Sequence, residues 1–231
     1  MAIRSVGVVG SGQMGNGIAQ VAACCGMEVT MVDIKQDLLE RGSAAISNSL
    51  DKLVSKERMS RGEAESALSR VSTSVDLESL SECDLVVEAI PEIPELKFST
   101  FSKLDSICKP QAILASNTSS ISINEIASHT GRADRVIGMH FMNPVPIMKL
   151  VEIINGSETA EPVMVASVEP LACTRAPLFV AQRISAAAAD PVSADRPPTD
   201  APAAVTVRDV SAIAPQSGGL FVPRPTERPV P

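Results

Sequence analysis

Three groups of residues carry chemistry by type and spacing: Gly10-Ser11-Gly12-Gln13-Met14-Gly15, the acid Asp33, and the pair His140 and Glu152. The first is a G-x-G-x-x-G run between a short apolar stretch and a small-residue helix pattern. In that context Gly10 makes the tight turn, Gly12 lets a diphosphate approach the backbone, and Gly15 lets the helix pack close. The helix N-terminus behind the loop offers unpaired N–H groups and a positive dipole end to the anion. Asp33 follows Gly15 by 18 residues and closes the next apolar run, where a carboxylate accepts ribose hydroxyls and repels a 2′-phosphate. NAD is therefore expected over NADP, with Lys35 a moderating positive charge. Asp33 also reads as a helix N-cap, which is compatible with ribose binding.

His140 ends an apolar run, and the chain turns at Pro144-Val145-Pro146 before an apolar return over 148–154 that contains Glu152. A turn centred on Val145 puts residue 150 opposite His140 and makes Glu152 its diagonal neighbour on the same face. Oxidising an alcohol needs a base to take the hydroxyl proton as hydride leaves carbon, and imidazole has the pKa for it. A carboxylate beside the ring would orient it and stabilise its cation. Periodicity alone favours the plainer reading, a strand-end histidine and a solvated edge glutamate.

The elements that must position these groups alternate. Apolar runs at 3–9, 29–32, 85–90, 112–115, 135–140 and 148–154 read as strands, and helical spacing recurs at 13–26, 38–54, 60–68, 96–107 and 123–128. The expected architecture is α/β, a Rossmann-type doubly wound and mostly parallel sheet. A net charge of −7 and the absence of Trp and Tyr disfavour nucleic acid as a partner. No apolar run approaches the 18 or so residues of a membrane span. Five irregularly spaced cysteines indicate neither a disulfide framework nor a zinc site, so no metal is expected and the cytoplasm is the default location.

Composition changes near residue 157: five of the 17 prolines precede it, 12 follow it, and Lys149 is the last lysine. Residues 1–157 are therefore expected to form the nucleotide-binding domain. Residues 158–231 read as a low-complexity, Ala/Pro-rich and largely disordered tail, with a short helix near 178–189.

The stretches Val86 to Glu92 (VVEAIPE), Ala115 to Ser120 (ASNTSS) and Gly138 to Glu152 (GMHFMNPVPIMKLVE), with the glycine loop, resemble the NAD-binding domain of the 3-hydroxyacyl-CoA dehydrogenases, most closely the 3-hydroxybutyryl-CoA type. The resemblance implies NAD-dependent oxidation of a (3S)-3-hydroxyacyl-CoA to the 3-oxoacyl-CoA, or the reverse. It implies that His140 is the base, Glu152 its partner, and Ser119 a contact to both cofactor and substrate near the 3-oxygen. Asn143 would lie on the nicotinamide side, Glu92 and Lys97 would be further NAD contacts, and Ser49 and Lys56 would touch coenzyme A. The family continues with a further catalytic asparagine and a helical domain that forms its homodimer and covers the acyl chain. Neither is legible here, so residues 158–231 read as a reading frame that is not the family's own. Two alternatives follow: a catalytically impaired NAD-binding fragment, and an interaction protein whose proline-rich tail recruits partners.

Overall fold

The computed structural model describes residues 3–148, 150–168, 179–184 and 206–209. Strand β1 (Ser5–Val9) enters α1 (Gln13–Cys24) through the glycine turn and returns as β2 (Glu28–Val32). Helices α2 (Gln36–Ser55) and α3 (Arg61–Ser69) lead to β3 (Val71–Ser74). Strand β4 (Leu85–Glu88) crosses through α4 (Pro94–Ile107) to β5 (Ile113–Ser116). A short helix α5 (Ile123–Ala127) precedes β6 (Val136–Phe141), and β7 (Leu150–Asn155) is followed by α6 (Glu161–Val168). Two strands close the sheet, β8 (Phe179–Ile184) and β9 (Thr206–Asp209).

The strand order is β3-β2-β1-β4-β5-β6-β7-β8-β9. Strands β1 to β6 pair in parallel, β7 runs antiparallel to β6, and β8 is parallel to β7. The order reverses between β1 and β4, so the crevice at their C-terminal ends is the switch point where such sheets bind ligands. Helices on both faces explain why β4 and β5 are buried at every position. Val6, Val8, Leu85, Val87, Ile113, Ala115, Ile137 and Met139 point into one core with α1 to α3. Val86, Leu114 and Val136 point into the other, with Phe101, Leu104, Ile123 and Ile126. By strand alternation Glu88, Ser116, His140 and Glu152 belong to this second face.

Local chemistry sets the helix starts. Ser60 and Glu63 form a reciprocal capping box for α3, and Pro94 supplies the first turn of α4. Strand β3 is absent from the apolar pattern because Val-Ser-Thr-Ser is a half-exposed segment; its backbone pairing with β2 makes it a strand. The helix expected near 178–189 is replaced over 179–184 by β8, which extends the open edge of β7. Main-chain pairing is indifferent to the nearby alanine run that suggested a helix. The remaining expectation of disorder for 158–231 falls mostly outside the described residues. Cys24, Cys83 and Cys108 are free thiols, whereas Cys25 is disulfide-bonded, which the cysteine spacing did not signal.

Asp84 fastens the opposite end of the sheet. Its carboxylate accepts the Arg4 and Ser5 amides at 2.8 and 3.0 Å and the Lys109 ammonium at 2.7 Å. Burial alone would raise its pKa, but these donors hold it at about 2. The folded value lies below the ordinary one, so the stabilisation is complete above about pH 4 and fades as pH falls toward 2. Such a shift is worth about 2 kcal/mol at neutral pH. Asp84→Asn is expected to lose about 1 to 2 kcal/mol in urea unfolding at pH 7. The gap to wild type should narrow by pH 3; an equal gap at both pH values would contradict the assignment.

Candidate active site

The glycine loop separates two requirements on glycine. Gly10 has φ +99°, and a Cβ there would lie 2.7 Å from the Ala89 carbonyl oxygen. A Cβ on Gly15 would come within 1.8 Å of the Gly10 oxygen. Both glycines are therefore demanded by the protein's own packing. Gly12 is not: its φ is −63° and a Cβ would meet no heavy atom within 4 Å. The open space over Gly12 sits at the start of α1, which has no side-chain cap and no acid in its first turn. Unpaired N–H groups facing open space fit a dinucleotide diphosphate.

Asp33 stands beside this loop. Its Oδ2 accepts both the Ser11 amide and the Ser11 hydroxyl at 2.7 Å, and its Oδ1 accepts the Ile34 amide. The N-cap position of α2 belongs to Lys35 and not to Asp33. Met14 is half-buried against the core, while Gln13 is exposed and donates to Asn143 Oδ1 at 3.1 Å. This contact joins the glycine loop to the β6–β7 turn. Gly17 makes the approach possible, because Val145 would lie 2.8 Å from a Cβ there.

His140 and Glu152 are directly opposite in the antiparallel register, not diagonal. The connection is centred on Pro146, one residue later than the position expected from the turn residues. His140 Nδ1 lies 2.8 Å from Glu152 Oε2, and the side chains are 22 % and 19 % exposed. A carboxylate only accepts, so Nδ1 carries the hydrogen and Nε2 is the nitrogen left to exchange a proton. One row deeper, Glu88 is paired with Ser116 and Ser116 with Gly138. Asn117 connects the two levels: its amide donates to the Glu88 carbonyl, and its Oδ1 accepts the Phe141 amide at 2.8 Å.

Ser119 is exposed in the loop after β5, and its amide donates to Glu92 Oε1 at 3.1 Å. Burial would raise the Glu92 pKa, but the Thr118 hydroxyl, the Lys97 ammonium and the Ser120 hydroxyl bring it down to about 2. Lys97 is itself buried. Ser49 is half-buried in α2 and Lys56 is exposed at its C-terminal cap; among the described residues neither side chain bonds to another site residue. Glu88, Asn117 and Gly17 have no motif spacing that singles them out, although Glu88 lies within the VVEAIPE stretch and Asn117 within the ASNTSS stretch. No group of three or more His, Cys, Asp or Glu among the described residues is placed to hold a metal ion. No helix among them is long and apolar enough to cross a membrane.

A doubly wound sheet with a glycine-loop crevice at its switch point defines a dinucleotide-binding domain, and a histidine–carboxylate pair stands on the same sheet. The comparisons are narrower. The family model for the 3-hydroxyacyl-CoA dehydrogenase NAD-binding domain matches residues 5–176. This chain belongs to that family, and the match extends past the composition change at 157. A probable 3-hydroxybutyryl-CoA dehydrogenase of Deinococcus radiodurans is 47 % identical over 77 % of this chain and 66 % of its own length. The human mitochondrial hydroxyacyl-coenzyme A dehydrogenase is 40 % identical over 79 % and 62 %. Among solved structures, (S)-3-hydroxybutyryl-CoA dehydrogenase from Ralstonia eutropha matches with a TM-score of 0.75 and 42 % identity, over 80 % of this chain and 64 % of that one. The chain spans between 55 % and 66 % of the length of the bacterial 3-hydroxybutyryl-CoA dehydrogenases first among its matches.

Proposed function

We propose that the protein interconverts a (3S)-3-hydroxyacyl-CoA and the 3-oxoacyl-CoA, using NAD in preference to NADP. The observation that carries this reading is the assembled His140–Glu152 pair on the sheet face that opens beyond the nucleotide crevice. In the oxidative direction Nε2 of His140 takes the 3-hydroxyl proton, since Nδ1 is engaged by Glu152. Glu152 holds the ring's orientation and offsets the charge it gains. NAD, when bound, supplies the nicotinamide carbon that accepts the hydride. Ser119, exposed at the adjoining loop, orients the 3-oxygen. Asn143, tied to Gln13, borders the nicotinamide side, and Asp33 takes the adenosine ribose. Ser49 and Lys56 face coenzyme A, where the ammonium neutralises phosphate charge. The comparisons do not favour the alternative of an impaired fragment.

The test is acetoacetyl-CoA with NADH or NADPH, followed by loss of nicotinamide absorbance, with parallel fluorescence titrations of both cofactors. NADH should be consumed and should bind at least tenfold more tightly than NADPH, and Asp33→Ala should narrow that ratio. No consumption of NADH would overturn the activity. Equal affinities, or an unchanged ratio in the Asp33 variant, would overturn the ribose assignment.

A further inference from the structure

Two groups that the proposed reaction brings to one oxygen, Nε2 of His140 and the hydroxyl of Ser119, stand on different segments. Ser119 lies in the loop after β5, and His140 lies near the end of β6. The backbone ladder between these strands stops short of both. It pairs Leu114 with Val136, Ala115 with Ile137 and Ser116 with Gly138, and β6 then runs on through Met139, His140 and Phe141, whose strand partners are on β7. Past that point the β5 side is held by a side chain. Asn117 Oδ1 accepts the Phe141 amide at 2.8 Å, while the Asn117 amide donates to the Glu88 carbonyl of β4, also at 2.8 Å. Residue 117 therefore spans from β4 to β6. We propose that Asn117 is a positioning residue for His140: it fixes the end of β6 against the loop that carries Ser119, and so sets where the base stands relative to the substrate oxygen. The proposal rests on the reaction given above.

The side-chain carbonyl of asparagine is the same kind of acceptor as a peptide carbonyl, so Asn117 continues the ladder where the β5 backbone has turned away. The bond is not idle, because Phe141 is only 4 % exposed. Without Oδ1 its N–H would have neither a backbone acceptor on that side nor ready access to water, and a buried amide in that position shifts until it finds a partner. Glu152 does not replace this restraint. It holds the His140 ring at 2.8 Å from the β7 side and turns it, but the pair can move as a unit relative to Ser119. Proton transfer is sensitive to such a shift, since a displacement of about 1 Å costs on the order of 100-fold in rate. Asn117 is two residues from Ser119 and bonds to the residue that follows His140, so it ties together the two segments whose separation matters.

The test compares, in the full chain, Asn117→Ala, which removes the acceptor, with Asn117→Asp, which keeps an oxygen at the same reach. Hydrogen exchange needs neither cofactor nor substrate: Asn117→Ala should speed exchange of the Phe141 amide at least tenfold with the β1 amides unchanged, and Asn117→Asp should stay within about threefold of wild type. Unchanged Phe141 exchange in the Ala variant would overturn the proposal. In acetoacetyl-CoA reduction Asn117→Ala is expected to lower kcat about 10-fold to 100-fold with the KM for NADH within about threefold, and Asn117→Asp to recover most of that rate. Equal losses in the two variants would assign the effect to the amide's N–H₂ group and overturn the proposal. If the Ala variant does not fold, Asn117→Asp decides alone: kcat within about fivefold of wild type is expected, and a larger loss overturns the assignment. A cycle with His140→Gln separates positioning of the base from a general defect. With the base gone, Asn117→Ala should cost less than about threefold in kcat, and the full loss in both backgrounds would overturn the proposal. Wild-type protein that fails to reduce acetoacetyl-CoA would instead sink the reaction reading, leaving Phe141 exchange to decide whether Asn117 holds the strand.

Discussion

His140→Gln is expected to lower kcat for acetoacetyl-CoA reduction by about 10² to 10⁴-fold, the usual contribution of a positioned general acid or base. The affinity for NADH should stay within about twofold of wild type, because the proposed role of the ring is proton transfer with the substrate oxygen and not nucleotide binding. Glutamine keeps a hydrogen-bonding group near the Glu152 carboxylate but cannot exchange a proton at neutral pH. Loss of rate therefore reports proton transfer and not collapse of the site. Glu152→Gln should act in the same direction with a smaller effect, since it loosens and discharges the ring's partner while leaving the base in place. Steady-state kinetics with both substrates varied, beside a fluorescence titration of NADH, separates the two quantities. A His140→Gln enzyme with wild-type kcat would remove the residue from the mechanism.

The second large effect separates the glycines by cause. Gly15→Ala would place a methyl group 1.8 Å from a backbone carbonyl oxygen that cannot swing aside. The turn must open, and a loss of about 3 kcal/mol or more, or failure to fold, is expected. Gly12→Ala adds the same methyl group to open space at an ordinary φ of −63°. Stability should then change by less than about 1 kcal/mol, while the diphosphate meets the new carbon and NADH affinity falls 10-fold to 100-fold or more. Thermal unfolding and NADH titration of the two variants make the comparison. Wild-type affinity in a folded Gly12→Ala protein would show that the diphosphate does not lie over this residue.

Both predictions trace the boundary between what is written locally and what is assembled. The loop was legible because its requirements are local: a tight turn at Gly10, an approach at Gly12, and a helix start directly behind. The strands β1, β2, β4 and β5 were legible because burial on both faces writes itself as short apolar runs, and Asp33 because it closes one of them. The polar edge strand β3 has no such signature and exists only because β2 offers backbone partners, as β7 does for β8. The types His and Glu, one on each side of a Pro-Val-Pro turn, already named a base and its carboxylate. Their register was decided in three dimensions, by the burial of Met139 and Phe141 with Val151 and Ile153 in one core. That packing shifts the centre of the connection to Pro146 and brings Glu152 directly opposite His140. Lys97 shows the same division most clearly. The sequence shows only a lysine near the start of α4; that its ammonium lies buried against the Glu88 carboxylate depends on how the sheet and α4 pack, and only the tertiary structure places Glu88 there.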